Sequence, residues 1–387
     1  MELNQALISE LQKIFIQEFG GESAVVFSPG RINLLGEHID YNDGFVLPAA
    51  IQLGIYACFA PTRNSTIEVI AKNFNNRLRI DVADIGPASS WQNYVLSVLN
   101  QFKLRGITIP GFQMVFGGDL PIGSGLSSSA ALEGAISFVV NHLSGSGFSA
   151  KELALLGQAA EHDYPGVKCG IMDQFANMLG KDENIVRIDC KTQETDYLPL
   201  QLQDYELVLI YSNVQHALTG GEYNQRREQC NEGLAHLKSK TGKSSFRNIT
   251  HDELASAKAE LNPVVYNRCK YVVDEIERTH LAADALLAGN ISKIGRLMYE
   301  THWGLSHLYD VSLPELDWLV NFAASFDGVL GSRLMGGGFG GSTLNLVTNE
   351  KTDAFITEAL HGYHSQFGIH AKAYPVLASD GTRLIEL

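Results

Sequence analysis

Pro121-Ile-Gly-Ser-Gly-Leu-Ser-Ser-Ser-Ala-Ala-Leu-Glu133 joins a loop that can turn tightly to a helix that can be buried. Gly123 and Gly125 free the backbone to bend and to approach a ligand closely. Ser127, Ser128 and Ser129 follow, and then a run of good helix formers. Ala131, Ala135 and Val139, with Leu132, Ile136 and Val140, recur at helical spacing and give that helix an apolar face. A helix N-terminus offers free N–H groups and the positive end of its dipole, which together favour an anion. The serine hydroxyls add donors and a candidate metal ligand. One serine would suffice for an N-cap. Three of them after two glycines point instead to a bound phosphate.

Around this loop, runs rich in Val, Ile, Phe and Tyr predict strands at 24–27, 51–59, 67–71, 78–81 and 113–117, and again at 185–188 and 207–211. Helical patterns alternate with them irregularly. Leu7, Leu11, Ile14 and Phe15 make the first twenty residues amphipathic, and Glu2, Glu10 and Glu18 among them argue against a signal peptide. Ser149-Ala-Lys-Glu152 is a capping box that should open a helix running to about Asp163, before Pro165-Gly166. Ser312-Leu-Pro-Glu315 has the form of a second box, with proline in the first turn. This mixture predicts an α+β chain of two domains, residues 1–200 and 201–387, with 196–200 as the linker.

Composition narrows the function classes. Apolar residues make up 45% of the 387 and charged residues 19%, enough for filled cores and unlike a disordered chain. Net charge is −14, and the one basic pair, Arg226-Arg227, sits between Glu222 and Glu228. A nucleic-acid partner is therefore not expected. An acidic chain can still hold a nucleotide, through local amides and a metal. Five cysteines without a C-x-x-C pair suit a reducing compartment, hence the cytoplasm. No apolar run reaches the ~18 residues of a membrane span.

Two glycine motifs mislead. Gly242-Lys243-Ser244 resembles the end of a P-loop, but the position five residues before Gly242 is Leu237 rather than glycine. Gly336-Gly-Gly-Phe-Gly-Gly341 satisfies G-x-G-x-x-G yet runs into the strand-like Ser342-Thr-Leu-Asn-Leu-Val347, whereas a dinucleotide site needs a helix there. Such glycine density before a strand signals close backbone approach. Elsewhere, Ser28-Pro-Gly-Arg-Ile-Asn-Leu-Leu-Gly-Glu-His-Ile-Asp-Tyr-Asn-Asp-Gly44 gathers Arg31, Asn33, Glu37, His38, Asp40, Asn42 and Asp43 around turn glycines. Carboxylates and an imidazole so placed suit a polyhydroxylated ligand, because one carboxylate can accept from two hydroxyls. An exposed polar turn has the same composition. Glu161 and Asp173 flank a third polar cluster at a helix end and a helix start. His302 and His307 lack the H-E-x-x-H spacing and read as helix-surface or packing residues.

In chain order, the stretch from Gly30 through Arg31 to Gly44 resembles the galactokinase signature, 121–133 resembles the GHMP kinase phosphate loop, and Gly331-Ser-Arg-Leu-Met-Gly-Gly-Gly-Phe-Gly-Gly341 resembles its third motif. Trp91-Gln-Asn-Tyr94, Cys169-Gly-Ile-Met-Asp-Gln-Phe175 and Gly221-Glu-Tyr-Asn-Gln-Arg-Arg227 extend the likeness along almost the whole chain. The resemblance implies a two-domain GHMP kinase fold, with a ribosomal protein S5-like N-terminal domain and a ferredoxin-like C-terminal domain. It implies transfer of the ATP γ-phosphate to the anomeric hydroxyl of α-D-galactose, with Mg²⁺. By the same carry-over, Asp173 is the expected base and Arg31 its partner. Glu37, His38, Asp40, Gly170 and Tyr223 are expected to bind the sugar. Gly123, Ser124, Gly125, Leu126, Ser127, Ser128 and Ser129 are expected to cradle phosphate, with Trp91 in the adenine pocket. Ser129 and Glu161 are the expected Mg²⁺ ligands.

Phosphoryl transfer asks for positioning and charge neutralisation, which such a set supplies. Two departures from the family stand out. Gln215 occupies a position where relatives often carry Lys or Arg, and Ser342 one where many carry Cys. A kinase of a related sugar, such as N-acetylgalactosamine or arabinose, and a ligand-binding sensor without turnover remain as rival readings. Oligomeric state stays open, with a monomer compatible.

Overall fold

The computed structural model describes residues 3–121, 123–215 and 221–386. In the first half, α1 (Gln5–Phe19) precedes β1 (Ala24–Asn33), β2 (Phe45–Val46), β3 (Pro48–Pro61), β4 (Thr66–Ala71) and β5 (Asn76–Asp81). Then come α2 (Trp91–Leu104), β6 (Phe112–Gly118), α3 (Ser128–Ser144), α4 (Ala150–Asp163), α5 (Met172–Leu179), β7 (Asn184–Asp189) and β8 (Thr195–Pro199). The second half holds β9 (Tyr205–Gln215), α6 (Gly221–Thr241), α7 (His251–Ser256), α8 (Pro263–Leu287), α9 (Ile291–Gly304) and α10 (Pro314–Ser325). It ends with β10 (Val329–Met335), β11 (Gly340–Thr348), α11 (Thr352–Phe367), β12 (Lys372–Val376) and β13 (Arg383–Ile385). The seven strand-like runs of the sequence fall in β1, β3, β4, β5, β6, β7 and β9.

A six-stranded sheet, ordered β13-β1-β3-β6-β4-β5, is antiparallel except between β4 and β6. Alternation along β1 sends Val25 and Phe27 to the core under α1, with Ile8, Leu11 and Phe15, while Val26 joins the core shared with α3. Both faces are thus covered, which explains why β1 is buried almost without a break. A four-stranded antiparallel sheet, β10-β11-β9-β12, follows the chain order β-α-β-β-α-β of a ferredoxin-like unit. Val208, Ile210 and Val347 bury one of its faces under Leu319, Phe355 and Tyr363 of α10 and α11. The last strand, β13, returns to pair with β1 and so ties the chain's end to its beginning.

The capping box at Ser149 forms, with the Glu152 side chain returning to the Ser149 N–H. Two local expectations change. The second box does not form: Ser312 Oγ donates to Asp317 Oδ1 at 2.5 Å, and α10 starts at Pro314 without a side-chain cap. Residues 196–200, read as a linker, lie mostly in β8, which pairs with β7. His302 is a packing residue, as read, fully buried in α9, where its Nδ1 accepts the Leu334 N–H. The Gly336–Gly341 segment joins antiparallel β10 and β11, so no helix follows it. Gly242 merely caps α6 through its N–H to the Lys238 carbonyl. Among the described residues no helix is long and apolar enough to cross a membrane.

Candidate active site

Two glycine-bearing turns meet backbone to backbone between the two sheets. A Cβ on Gly125, whose φ is +78°, would lie 3.1 Å from the Met335 carbonyl oxygen, and one on Gly336 would lie 3.0 Å from the Gly125 carbonyl. Ser342 Oγ donates to the Ser124 carbonyl at 2.8 Å, so the serine that departs from the family pattern ties β11 to the loop. Above this junction a cavity of about 380 Å³ is lined by Arg31, Gly123, Gly125, Leu126, Ser127, Ser128, Ser129, Asp173 and the 337–341 turn. Ser124 is not on that wall. It is buried, and its hydroxyl donates to the Pro121 carbonyl. Ser127 does not cap α3 with its side chain. It adopts a left-handed conformation, and its hydroxyl donates to Asp173 Oδ2 at 2.5 Å.

Asp173 stands in the first turn of α5 at the floor between this cavity and a smaller one. Arg31 reaches it from β1 in a two-point pair, Nε to Oδ1 at 2.9 Å and Nη2 to Oδ2 at 3.1 Å. The third guanidinium nitrogen donates to the Gly125 carbonyl, so one side chain fixes both the carboxylate and the loop.

The smaller cavity, about 120 Å³, is lined by Arg31, Glu37, His38, Asp40, Glu161, Gly170, Asp173 and Tyr223 among others. Glu37 is buried against Arg333 at 2.7 Å and accepts the Gly336 N–H at 2.8 Å. Burial alone would raise its pKa, yet Arg333, Arg31 and that N–H hold it below the usual carboxylate value. His38 Nε2 faces the Gly337 carbonyl at 3.0 Å, so Nε2 carries the proton and Nδ1 accepts from the Tyr41 hydroxyl at 2.8 Å. Burial pushes His38 down to about 4, so the ring is neutral. Burial, and then the Asp173 and Glu37 carboxylates, push Asp40 up to about 7. Gly170 packs directly on it: a Cβ there would lie 1.9 Å from Asp40 Oδ2. Tyr223, from α6, lies against His38 with ring centres 5.3 Å apart and the rings tilted by 37°.

On the other side, a cavity of about 590 Å³ is lined by Phe74, Trp91, Tyr94, Phe116, Ser128, Ser129 and Leu132 among others, a largely apolar slot adjoining the glycine and serine loop. Trp91 is nearly buried in its wall, edge-on to Phe116. Ser129 and Glu161 lie together, the serine hydroxyl hydrogen-bonding the carboxylate. Burial and then the Asp173 charge push Glu161 up to about 7. The site thus crowds Asp40, Glu161 and Asp173 around a single arginine, Arg31. Among the described residues no cluster of three or more His, Cys, Asp or Glu forms a metal cage.

Several residues at the site escaped the sequence reading. Phe74 and Tyr94 line the apolar slot, Tyr41 hydrogen-bonds His38 Nδ1, and Arg333 holds Glu37 from 296 residues away. Arg333 lay inside a motif already singled out for its glycines, which was the one available signal. The side chain of Gln215 lies outside the described residues.

Three family models match in chain order: a galactokinase galactose-binding signature over residues 13–61, the GHMP kinases N-terminal domain over 93–181 and the GHMP kinases C-terminal domain over 282–365. A galactokinase of Chloroflexus aurantiacus is 39% identical over 379 residues, 97% of this chain and 96% of that relative. One of Thermotoga maritima is 35% identical over 360 residues, 93% of this chain and 99% of the relative. Among solved structures, Lactococcus lactis galactokinase complexed with galactose matches with a TM-score of 0.94 at 33% identity, covering 97% of this chain and 99% of that one. A mevalonate kinase shares the fold, with a TM-score of 0.64 at 20% identity. With its α+β, two-domain architecture and these full-length likenesses, the chain belongs to the galactokinase family of GHMP kinases.

Proposed function

We propose that this chain transfers the γ-phosphate of ATP to the anomeric hydroxyl of α-D-galactose, giving galactose 1-phosphate and ADP. One observation carries the reading. Asp173, clamped by Arg31, stands at the boundary between a small polar pocket and the cavity over the phosphate loop. A sugar in the first and a triphosphate in the second bring hydroxyl and γ-phosphate together at that carboxylate.

The residues then divide the work. Asp40 and Glu37 present carboxylate acceptors, and the rings of His38 and Tyr223 an aromatic wall, to the sugar, with Gly170 leaving room for the Asp40 carboxylate. Loop backbone from Gly123 to Ser129 and the start of α3 receive the phosphates. The slot walled by Trp91 takes the base. Asp173 Oδ accepts the proton of the attacking hydroxyl as the O–P bond forms. Arg31 orients that oxygen and stays beside the γ-phosphate.

Mg²⁺ fits this donor set. Ser129 and Glu161 are hard oxygen donors in contact, and the buried carboxylates outnumber the cations around them. Ser129 and Glu161 would hold the ion, which when bound neutralises phosphate charge. We place the reaction in the cytoplasm, where ATP is available and where the five free cysteines stay reduced. Residues 1–200 would supply the phosphate loop and sugar signature, and residues 201–387 would close the cleft with Tyr223 and the 336–341 turn.

A coupled ADP-release assay with ATP and Mg²⁺ over galactose, N-acetylgalactosamine, glucose and arabinose tests this. Selective turnover of galactose is expected. Turnover of another sugar would overturn the pocket assignment, and silence on all four, with galactose still raising the melting temperature, would overturn the enzymatic reading.

A further inference from the structure

Glu133 stands one helical turn beyond Ser129 on α3, so both side chains leave the same face of that helix. Its carboxyl is fully buried, and among the described residues no Lys, Arg or His nitrogen lies within salt-bridge distance of it. Gln174, from the first turn of α5 and adjacent in sequence to Asp173, spans the gap between this acid and Glu161 on α4. Its Nε2 donates to Glu161 Oε2 at 2.7 Å and to Glu133 Oε2 at 3.1 Å. Both amide hydrogens are thereby used. Glu161 Oε2 also receives the Cys169 thiol at 3.5 Å, so this oxygen is committed to protein partners, and the carboxyl group meets the Ser129 hydroxyl as well.

We propose that Gln174, anchored by Glu133, is a positioning residue that holds Glu161 with one oxygen turned toward the Mg²⁺ site. This inference rests on the phosphoryl-transfer reading and on Glu161 as a metal ligand. Two buried atoms without partners, Glu133 Oε1 and Gln174 Oε1, support it. As two acceptors they are an unexplained cost. A neutral Glu133 would instead carry a proton, a donor of the kind that an unpartnered amide carbonyl can accept. Burial and then the Glu161 charge raise Glu133 well above the usual carboxylate range, in keeping with the neutral form. Gly157 on α4 leaves the space the bridge occupies: a Cβ there would lie 3.2 Å from Gln174 Cγ and 3.7 Å from Glu133 Oε2. A glutamine in such a place acts on the metal only through Glu161, as outer partners of metal ligands commonly do.

The test measures Mn²⁺ binding by electron paramagnetic resonance in the presence of a non-hydrolysable ATP analogue, alongside KM for galactose and the melting temperature. Gln174→Met is expected to weaken Mn²⁺ binding by about tenfold or more, the usual cost of losing an outer partner, with KM for galactose changed by less than about twofold. Glu133→Ala should behave like Gln174→Met. Glu133→Gln, which keeps a donor and an acceptor in the same shape, should restore binding to within about threefold of the parent chain. Mn²⁺ affinity unaltered in folded Gln174→Met, or Glu133→Gln as damaged as Glu133→Ala, would overturn the proposal. If Gln174→Met does not fold, Gly157→Ala displaces the bridge more gently, and unchanged Mn²⁺ affinity there overturns it equally. Glu161→Gln separates the layers. If it weakens Mn²⁺ binding and Gln174→Met does not, the bridge alone fails. If neither does, Glu161 is not a ligand and the inference falls with it.

Discussion

Replacing Asp173 by asparagine keeps the size of the side chain and removes its charge. In the parent chain three donors converge on it: Arg31 Nε at 2.9 Å, Arg31 Nη2 at 3.1 Å and the Ser127 hydroxyl at 2.5 Å. An amide has one oxygen for them, and its NH₂ group must then face a guanidinium or a hydroxyl. The Arg31 side chain is 5% exposed and that of Asp173 26%. The stability loss therefore falls at about 1.5–3 kcal/mol, the range for a hydrogen bond to a charged group, below the roughly 3–5 kcal/mol of a fully buried broken pair. A domain of ordinary stability, about 5–15 kcal/mol, stays folded after such a loss. Turnover suffers more, by ~10²-fold or beyond, which corresponds to at least about 2.7 kcal/mol of barrier. Nucleotide affinity should hold within about threefold, since on the proposed reading the loop amides rather than Asp173 receive the phosphates, and Arg31 keeps its bond to the Gly125 carbonyl. ADP release at saturating substrates and calorimetric titration with ATP read the two effects separately. Near-parental turnover would refute the role of Asp173 as proton acceptor, and so would a loss of turnover wholly matched by a loss of ATP affinity.

Glu37→Gln leaves Arg333 buried beside a neutral partner, and should lower stability by about 3–5 kcal/mol in denaturant unfolding; a change under about 1 kcal/mol would mean that the pair is dispensable. Gly170→Ala drives a methyl group into the Asp40 carboxylate and should raise KM for galactose by about tenfold or more with a smaller effect on KM for ATP, and equal effects on both would contradict that placement. Asp40 has a folded value raised to about 7 against an ordinary 3.8, so the folded chain binds the extra proton and its stability falls as pH rises from about 4 to about 7. Asp40→Asn removes this liability, so its melting temperature relative to the parent should climb between pH 5 and pH 8; a constant offset would sink the assignment. His38 runs the other way, with a folded value near 4 below its ordinary 6.5, and its contribution is present above about 6.5 and lost as pH falls toward 4, which His38→Asn melts should reveal as a flatter acid limb.

Much of the scaffold was legible because it is written in local patterns. The α3 face, the Ser149 box and the β-branched runs each carry their own signal, and each formed where its residues lie. β8 escaped because Leu198 is its only buried residue, so the strand shows no alternation to read. The Ser312 box failed because α10 begins one residue later than the box needs, with Leu313 at the cap, and the Ser312 hydroxyl donates to Asp317 instead. In the site, the glycine and serine loop was legible through the needs of a helix N-terminus, but the use of Ser127 was not. Its partner is 46 residues away on a different helix. The same holds for Arg333 and Glu37, and for Glu133, Gln174 and Glu161, whose meaning arises only when three helices meet. Tertiary contact, rather than residue type, makes them functional neighbours.

The most direct test of the central claim is the position of phosphate in the product. The chain is incubated with ATP, Mg²⁺ and galactose, and the product is examined by phosphorus and proton magnetic resonance. Phosphorus coupled to the anomeric proton of an α-configured sugar, formed together with ADP and lost in Asp173→Asn, is the expected result. Phosphate on any other hydroxyl, or ADP accompanied only by free phosphate, would contradict the placement of the anomeric hydroxyl at Asp173.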